Sequence, residues 1–105
     1  MQTSSLSTLA DEHLATARGA SSGRSAHTVY GGRERTLRQT LIALTAGNQL
    51  DEHENPGEAT LQVLRGRVRL LTGDAAGDLV IVPDARHTLQ ALEDAAVLLT
   101  VAKTA

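Results

Sequence analysis

Apolar residues recur at Leu6, Leu9, Ala10, Leu14 and Ala17, a spacing of three to four that predicts one short helix over residues 6–17. Ser7 or Thr8 is placed to cap its N-terminus, and Asp11 and Glu12 are expected in its first turns. A Gly/Ser loop, 19-GASSGRS-25, ends the helical pattern. Beyond it the period shortens. Strands are predicted at His27–Tyr30, Thr36–Leu44, Thr60–Leu64, Val68–Leu71, Leu79–Val82, His87–Leu92 and Val97–Val101, with Gly, Pro and acidic turns between them. Short strands at near-regular spacing predict an all-β sandwich or barrel. The division expected is an N-terminal helical arm and loop over residues 1–24 and a barrel over residues 25–105.

Parity adds a detail. Leu61 and Val63 occupy odd positions, whereas Val68 and Leu70 occupy even ones. A straight strand cannot move its apolar set to the other face, so the chain is expected to turn or bulge at Gly66. Arg65, Arg67 and Arg69 then form the solvated side of a half-buried strand.

Composition narrows the function. The chain has 105 residues, enough for one domain. A net charge of −2 argues against nucleic acid as a partner, and one short helix leaves no helix-turn-helix pair. No apolar run is long enough to cross a bilayer, so no membrane association is expected. The first residues lack a basic region followed by an apolar one, so no secretory leader is expected and a cytoplasmic location is anticipated. There is no cysteine, hence no disulfide and no thiolate ligand. Tyr30 is the single aromatic residue, which disfavours a pocket built to stack sugars or planar rings.

The chemistry-bearing candidates are the four histidines. His13 is expected on the exposed side of the helix, and His27 in an edge strand, a candidate subunit contact. His53 follows Gly47 by a five-residue interval and precedes the phrase VLRG. His87 follows Gly77 and Pro83, themselves five residues apart, in AGDLVIVP. A neutral imidazole near pH 7 can act as a general base.

These two stretches, in this order, resemble the paired sequence motifs of the cupins. The resemblance implies a cupin-type double-stranded β-helix, a jelly-roll barrel with a pocket at one end, here with a short N-terminal helix. In that family two histidines and a glutamate of the first motif and a histidine of the second bind a divalent metal. By the resemblance, His53 and His87 match two of the four ligands, while Asn55 and Ala59 stand where the second histidine and the glutamate would be. Pro83 and His87 lie one residue closer than is usual, and residues 72–76 replace what is commonly a longer excursion. Asn55 offers an amide oxygen, a poor ligand for Zn or Fe, and Glu58, one residue from the glutamate position, would complete a two-histidine, one-carboxylate set if its loop turned it inward. The metal so implied is Zn, Fe, Mn, Ni or Cu, and the pocket would be lined by Asn55, Ala59, Leu61 and Val63.

Two functions stay open at this stage. One is a small cupin-domain protein that binds a small-molecule ligand, with or without metal, at the barrel mouth. The other is a metal-dependent or acid–base small-molecule enzyme, dioxygenase- or isomerase-like, that uses His53 and His87. Small barrels of this kind commonly pair, so a homodimer is expected, with the N-terminal arm and the apolar strand 95-AAVLLTV-101 as material for it.

Overall fold

A computed structural model describes residues 2–53, 57–70, 73–82 and 87–103. One helix, α1 (Leu6–Gly19), precedes nine strands: β1 (Arg24–Tyr30), β2 (Leu37–Leu44), β3 (Gln49–His53), β4 (Gly57–Arg65), β5 (Val68–Leu70), β6 (Gly73–Ala75), β7 (Leu79–Ile81), β8 (His87–Ala91) and β9 (Ala95–Lys103). They form two antiparallel sheets, one in the order β1-β2-β9-β4-β7 and the other β3-β8-β5-β6.

The core lies between the sheets. The five-stranded sheet contributes Ile42, Leu44, Ala59, Leu61, Val63, Val97 and Val101, and the four-stranded sheet answers with Val68, Leu70, Ala75, Leu89 and Ala91. Strand alternation puts each set on one face, which is how a chain almost without aromatics fills a sandwich. A second cluster lies on the outside of the larger sheet. There Ala10, Leu14 and Ala17 of α1 rest on Leu41, Ala43 and Ala96. Alanines on both sides of this contact let the helix lie close to the sheet. β2 and β9 are therefore buried on both faces at this end, and both read as continuous apolar runs.

Gly66 is where the chain leaves one sheet for the other. A bulge between Val63 and Arg65 brings Arg65 to the outer face opposite Ala96, beside Leu64. Gly66 then adopts φ +70°, and a Cβ there would collide with the Asp94 carbonyl. The expected parity switch is thus a bulge followed by a crossing. Arg67 and Arg69 stay exposed and pair with Glu93 (3.7 Å) and Asp74 (2.9 Å).

Several expectations change. The helix cap is Ser5, not Ser7 or Thr8: its Oγ accepts from the Thr8 N–H at 3.3 Å, and no acidic residue falls in the first turn. Apolar spacing marks the buried stripe but does not locate the cap. β3 and β6 were not among the expected strands, and both are short. β6 shows how the brief segment after β5 suffices, since Gly73–Ala75 pairs back on Val68–Leu70 as a minimal hairpin. Leu71, Thr72 and Pro83 lie outside the described residues. β9 is the central strand of its sheet, paired along both edges, so it offers no free edge to a partner. His13 is half-buried. Its Nδ1 lies 2.7 Å from Ser25 Oγ, and its ring lies 5.0 Å from that of His27, because α1 docks across β1. His27 is on an edge strand, as expected.

Candidate binding site at the barrel mouth

The two motif glycines make the turns that launch the site strands. Gly47 has φ +87°; its N–H donates to the Ala91 carbonyl at 2.9 Å, and the Ala91 N–H donates back to Asn48 O at 2.9 Å. β3 is thereby laced to the end of β8. Gly77, with φ +68°, turns the chain into β7, and the Val63 N–H donates to Asp78 O at 2.9 Å. Each glycine sets where a strand begins.

From the Gly47 turn, β3 and β8 run antiparallel, with Gln49 opposite Gln90 and Leu50 opposite Leu89. After an irregularity the ladder resumes with His53 directly opposite His87. The fold therefore brings together two backbones far apart in sequence. Residues directly opposite in antiparallel strands have Cα atoms about 4.5–5.5 Å apart.

Chain reach places this pair at one end of the sandwich. Only residues 54–56 separate His53 in the small sheet from Gly57 in the large one, a span of at most about 14 Å. On the large sheet that end holds the start of β4 and the end of β9, where Gly57 lies opposite Lys103 and Ala59 opposite Val101. The Val82 N–H donates to Ala59 O at 3.0 Å, tying the approach to His87 to the same place. Lys103 closes the rim: its Nζ donates to the carbonyls of Gly32 (2.7 Å) and Arg33 (3.1 Å).

The remaining sequence candidates divide by face. Ala59, Leu61 and Val63 point into the sandwich, with 6%, 4% and 3% of their surface exposed. Leu61 and Val63 are core residues, and Ala59 is the one nearest the mouth. Glu58 lies on the opposite face and is exposed, because strand alternation carries β4 unbroken through this stretch. It is not turned inward to join His53 and His87. Asn55 lies outside the described residues.

Sequence reasoning overlooked Arg38. β2 sends Ile42 and Leu44 into the core and Leu41 and Ala43 against α1, and its ladder with β9 is unbroken from Leu37 to Leu44. By the same alternation Arg38 and Thr40 are on the inner face. Arg38 lies opposite Val101, which lies opposite Ala59, so the three form one inner row at the mouth end. The parity of TLRQTLIAL carried this information, but a strand apolar on both faces hides which set points inward.

The donor set can be weighed against a metal. A protein-held Zn or Fe normally takes three or four protein ligands. The paired histidines would supply two imidazoles. Among the described residues no third donor joins them: Ala59 carries a methyl where the resemblance puts a carboxylate, and Glu58 faces away. The described residues do not fit a complete metal centre.

Two antiparallel sheets closed around an aliphatic core, with paired motif residues at one end, define a small jelly-roll domain. Comparison with solved structures makes the class specific. A conserved protein of unknown function from Streptococcus pyogenes is 24% identical, with a TM-score of 0.67 over 82% of this chain and 79% of that one. An RmlC-like cupin protein from Desulfovibrio desulfuricans is 22% identical, with a TM-score of 0.64 over 75% and 81%. An acetylacetone dioxygenase from Acinetobacter johnsonii is 15% identical, with a TM-score of 0.68 over 76% of this chain and 60% of that one. The chain has the cupin fold. No protein-family model matches it, and no curated protein does either. Among the described residues no helix is long and apolar enough to cross a membrane.

Proposed function

We propose that the protein is a small-molecule-binding domain that takes its ligand at the barrel end where His53 and His87 meet. The observation that carries this reading is the pairing of the two histidines across β3 and β8. Histidine can donate and accept hydrogen bonds or move a proton near neutral pH, and the register brings two of them from distant stretches to facing positions. The floor beside them, Ala59 and Val101, is apolar, which suits a concave site with few polar contacts. The imidazole C–H signals of four histidines can be resolved individually by NMR. A fragment screen is expected to find compounds that move the signals of His53 and His87 but not those of His13 and His27. Alanine at both mouth positions should weaken these compounds at least tenfold. A screen whose hits leave both mouth histidines unmoved overturns the reading.

The second reading is a metal-dependent or acid–base enzyme on the same two histidines, favoured by the fold shared with an acetylacetone dioxygenase. Fold alone is weak support, since one fold hosts many activities. Metal analysis of protein purified without chelator separates the two. With two imidazoles and no described third donor, less than about a tenth of an equivalent of Zn, Fe, Mn, Ni or Cu is expected, because affinity follows ligand number and geometry. Near-stoichiometric metal that disappears in His53→Ala would put the enzyme reading first.

We also propose that two copies pair through the outer face of the five-stranded sheet. Tyr30, Leu37, Leu79 and Ile81 are the exposed large apolar residues among those described, and the strand register puts them all on that face. A groove of about 390 Å³ lies beside Tyr30 and Leu37, lined also by Leu6, Val29 and Leu98 among others. Of the strand residues on that face only Glu58 and Arg65 carry charge, and Arg65 is paired with Asp11, so a second copy of itself is a matching surface.

A further inference from the structure

We infer that the barrel mouth receives the carboxylate of a small organic anion and that Arg38 is the group that binds it. This rests on the reading that a small molecule enters at that end, and adds the ligand's charge and the residue that selects for it. Three observations carry it.

Arg38 is on the inner face. The unbroken β2–β9 ladder places it in register with the core residues Ile42 and Leu44, and it is half-buried, whereas most of the other described arginines are exposed. Its row mates Val101 and Ala59 are 3% and 6% exposed and carry no hydrogen-bonding side chain, so the rest of its row is apolar. With neighbouring strands about 4.8 Å apart, Arg38 and Ala59 lie roughly 10 Å apart along this one wall, with Val101 between them.

Five of the other described cations are engaged, and Arg24, Arg33 and Arg35, for which no carboxylate partner is described, are exposed where Arg38 is half-buried. Arg18, Arg65, Arg67 and Arg69 pair with Asp94, Asp11, Glu93 and Asp74, and Lys103 holds the Gly32 and Arg33 carbonyls. Arg38 pairs with no described carboxylate. Its planar fork is suited to gripping a carboxylate through two parallel hydrogen bonds.

The third observation is the misfit to a metal. Ala59 removes an anionic donor from the inner wall, and Arg38 adds a fixed positive charge two strands away on the same row. Both changes disfavour a bound cation and favour a bound anion. The Thr40 hydroxyl, in the next row inward, provides a further donor on this face. His53 and His87, on the other sheet, would meet the ligand's opposite end.

The test titrates the protein with pyruvate and malonate and, separately, with the neutral methyl pyruvate and dimethyl malonate. The readouts are the histidine imidazole signals and the dissociation constants. The anions are expected to move the His53 and His87 signals and to bind at least tenfold more tightly than the esters. Arg38→Met should weaken the anions at least tenfold and leave the esters unchanged, while Arg38→Lys should recover only part of the loss because it cannot make the fork. Arg38→Gln serves the same purpose if the methionine variant does not fold, as judged by circular dichroism. Anions that bind Arg38→Met as tightly as wild type overturn the inference. Esters that move His53 and His87 as strongly as the anions overturn it too, but leave the ligand site standing. Silence from both classes removes the ligand site and the inference together.

Discussion

Asp94 does more than its exposed position in a turn suggests. One carboxylate oxygen accepts the Ala46 N–H at 2.9 Å, and the other accepts Arg18 Nε at 2.8 Å. The backbone hydrogen bond first, and the guanidinium second, hold its carboxyl below the ordinary carboxylate range. Because the folded value is lowered, the stability Asp94 contributes is present above its unfolded value of about 4 and is lost as pH falls through the folded one. Asp94→Ala should cost roughly 0.5–1.5 kcal/mol at pH 7, the usual worth of such a hydrogen bond. It should also flatten the acid limb of a urea-midpoint profile; a variant with an unchanged acid limb would contradict this role. Nothing in the sequence marks Asp94, because its partners come from α1 and from the turn after β2. Arg38 was hidden for a different reason: its strand is apolar on both faces. The two histidines were legible because glycine spacing survives in the local sequence.

At the scale of elements, most of the architecture was readable because period and turn residues act locally. The strands missed, β3 and β6, show the limit. β3 carries Glu52 where alternation from Leu50 would call for an apolar residue, and it exists because β8 offers it a partner. β6 is only Gly73–Ala75, too short for a period, and is held by β5. The crossing at Gly66 was readable, since a change of parity has few other causes. Its consequence is a sharp prediction. Gly66→Ala combines a positive φ with a collision against the Asp94 carbonyl, so it should cost about 1–3 kcal/mol or more. A lowered urea midpoint with an unchanged slope would show this. A midpoint within experimental error of wild type would mean that the corner is not built as described.

The whole molecule is asymmetric. The helix covers one end of the outer face of the five-stranded sheet, and the rest of that face leaves Leu79 and Ile81 with 63% and 73% of their surface exposed. β7, which carries both, is an edge strand of three residues, short enough to limit uncontrolled edge pairing. If two copies cover this face, light scattering at micromolar concentration should report a dimer, and Ile81→Asp should shift it to monomer without loss of fold. A wild-type monomer under those conditions would remove the pairing. The mouth lies at an end of the sandwich, not on this face, so the dimer and the ligand site can be tested separately.

The functional account depends on one fact, that His53 and His87 stand opposite each other where β3 meets β8. The chain has no cysteine, so it offers a clean background for a direct test. Opposite residues of antiparallel strands fall within the Cα range that a disulfide spans, about 4.4–6.8 Å. The double variant His53→Cys/His87→Cys, oxidised mildly at low protein concentration, should close an intramolecular disulfide in nearly every molecule, read as a mass loss of two hydrogens and blocked alkylation. Two free, alkylatable thiols in the folded, oxidised variant would mean that the histidines do not meet and that the mouth site does not exist.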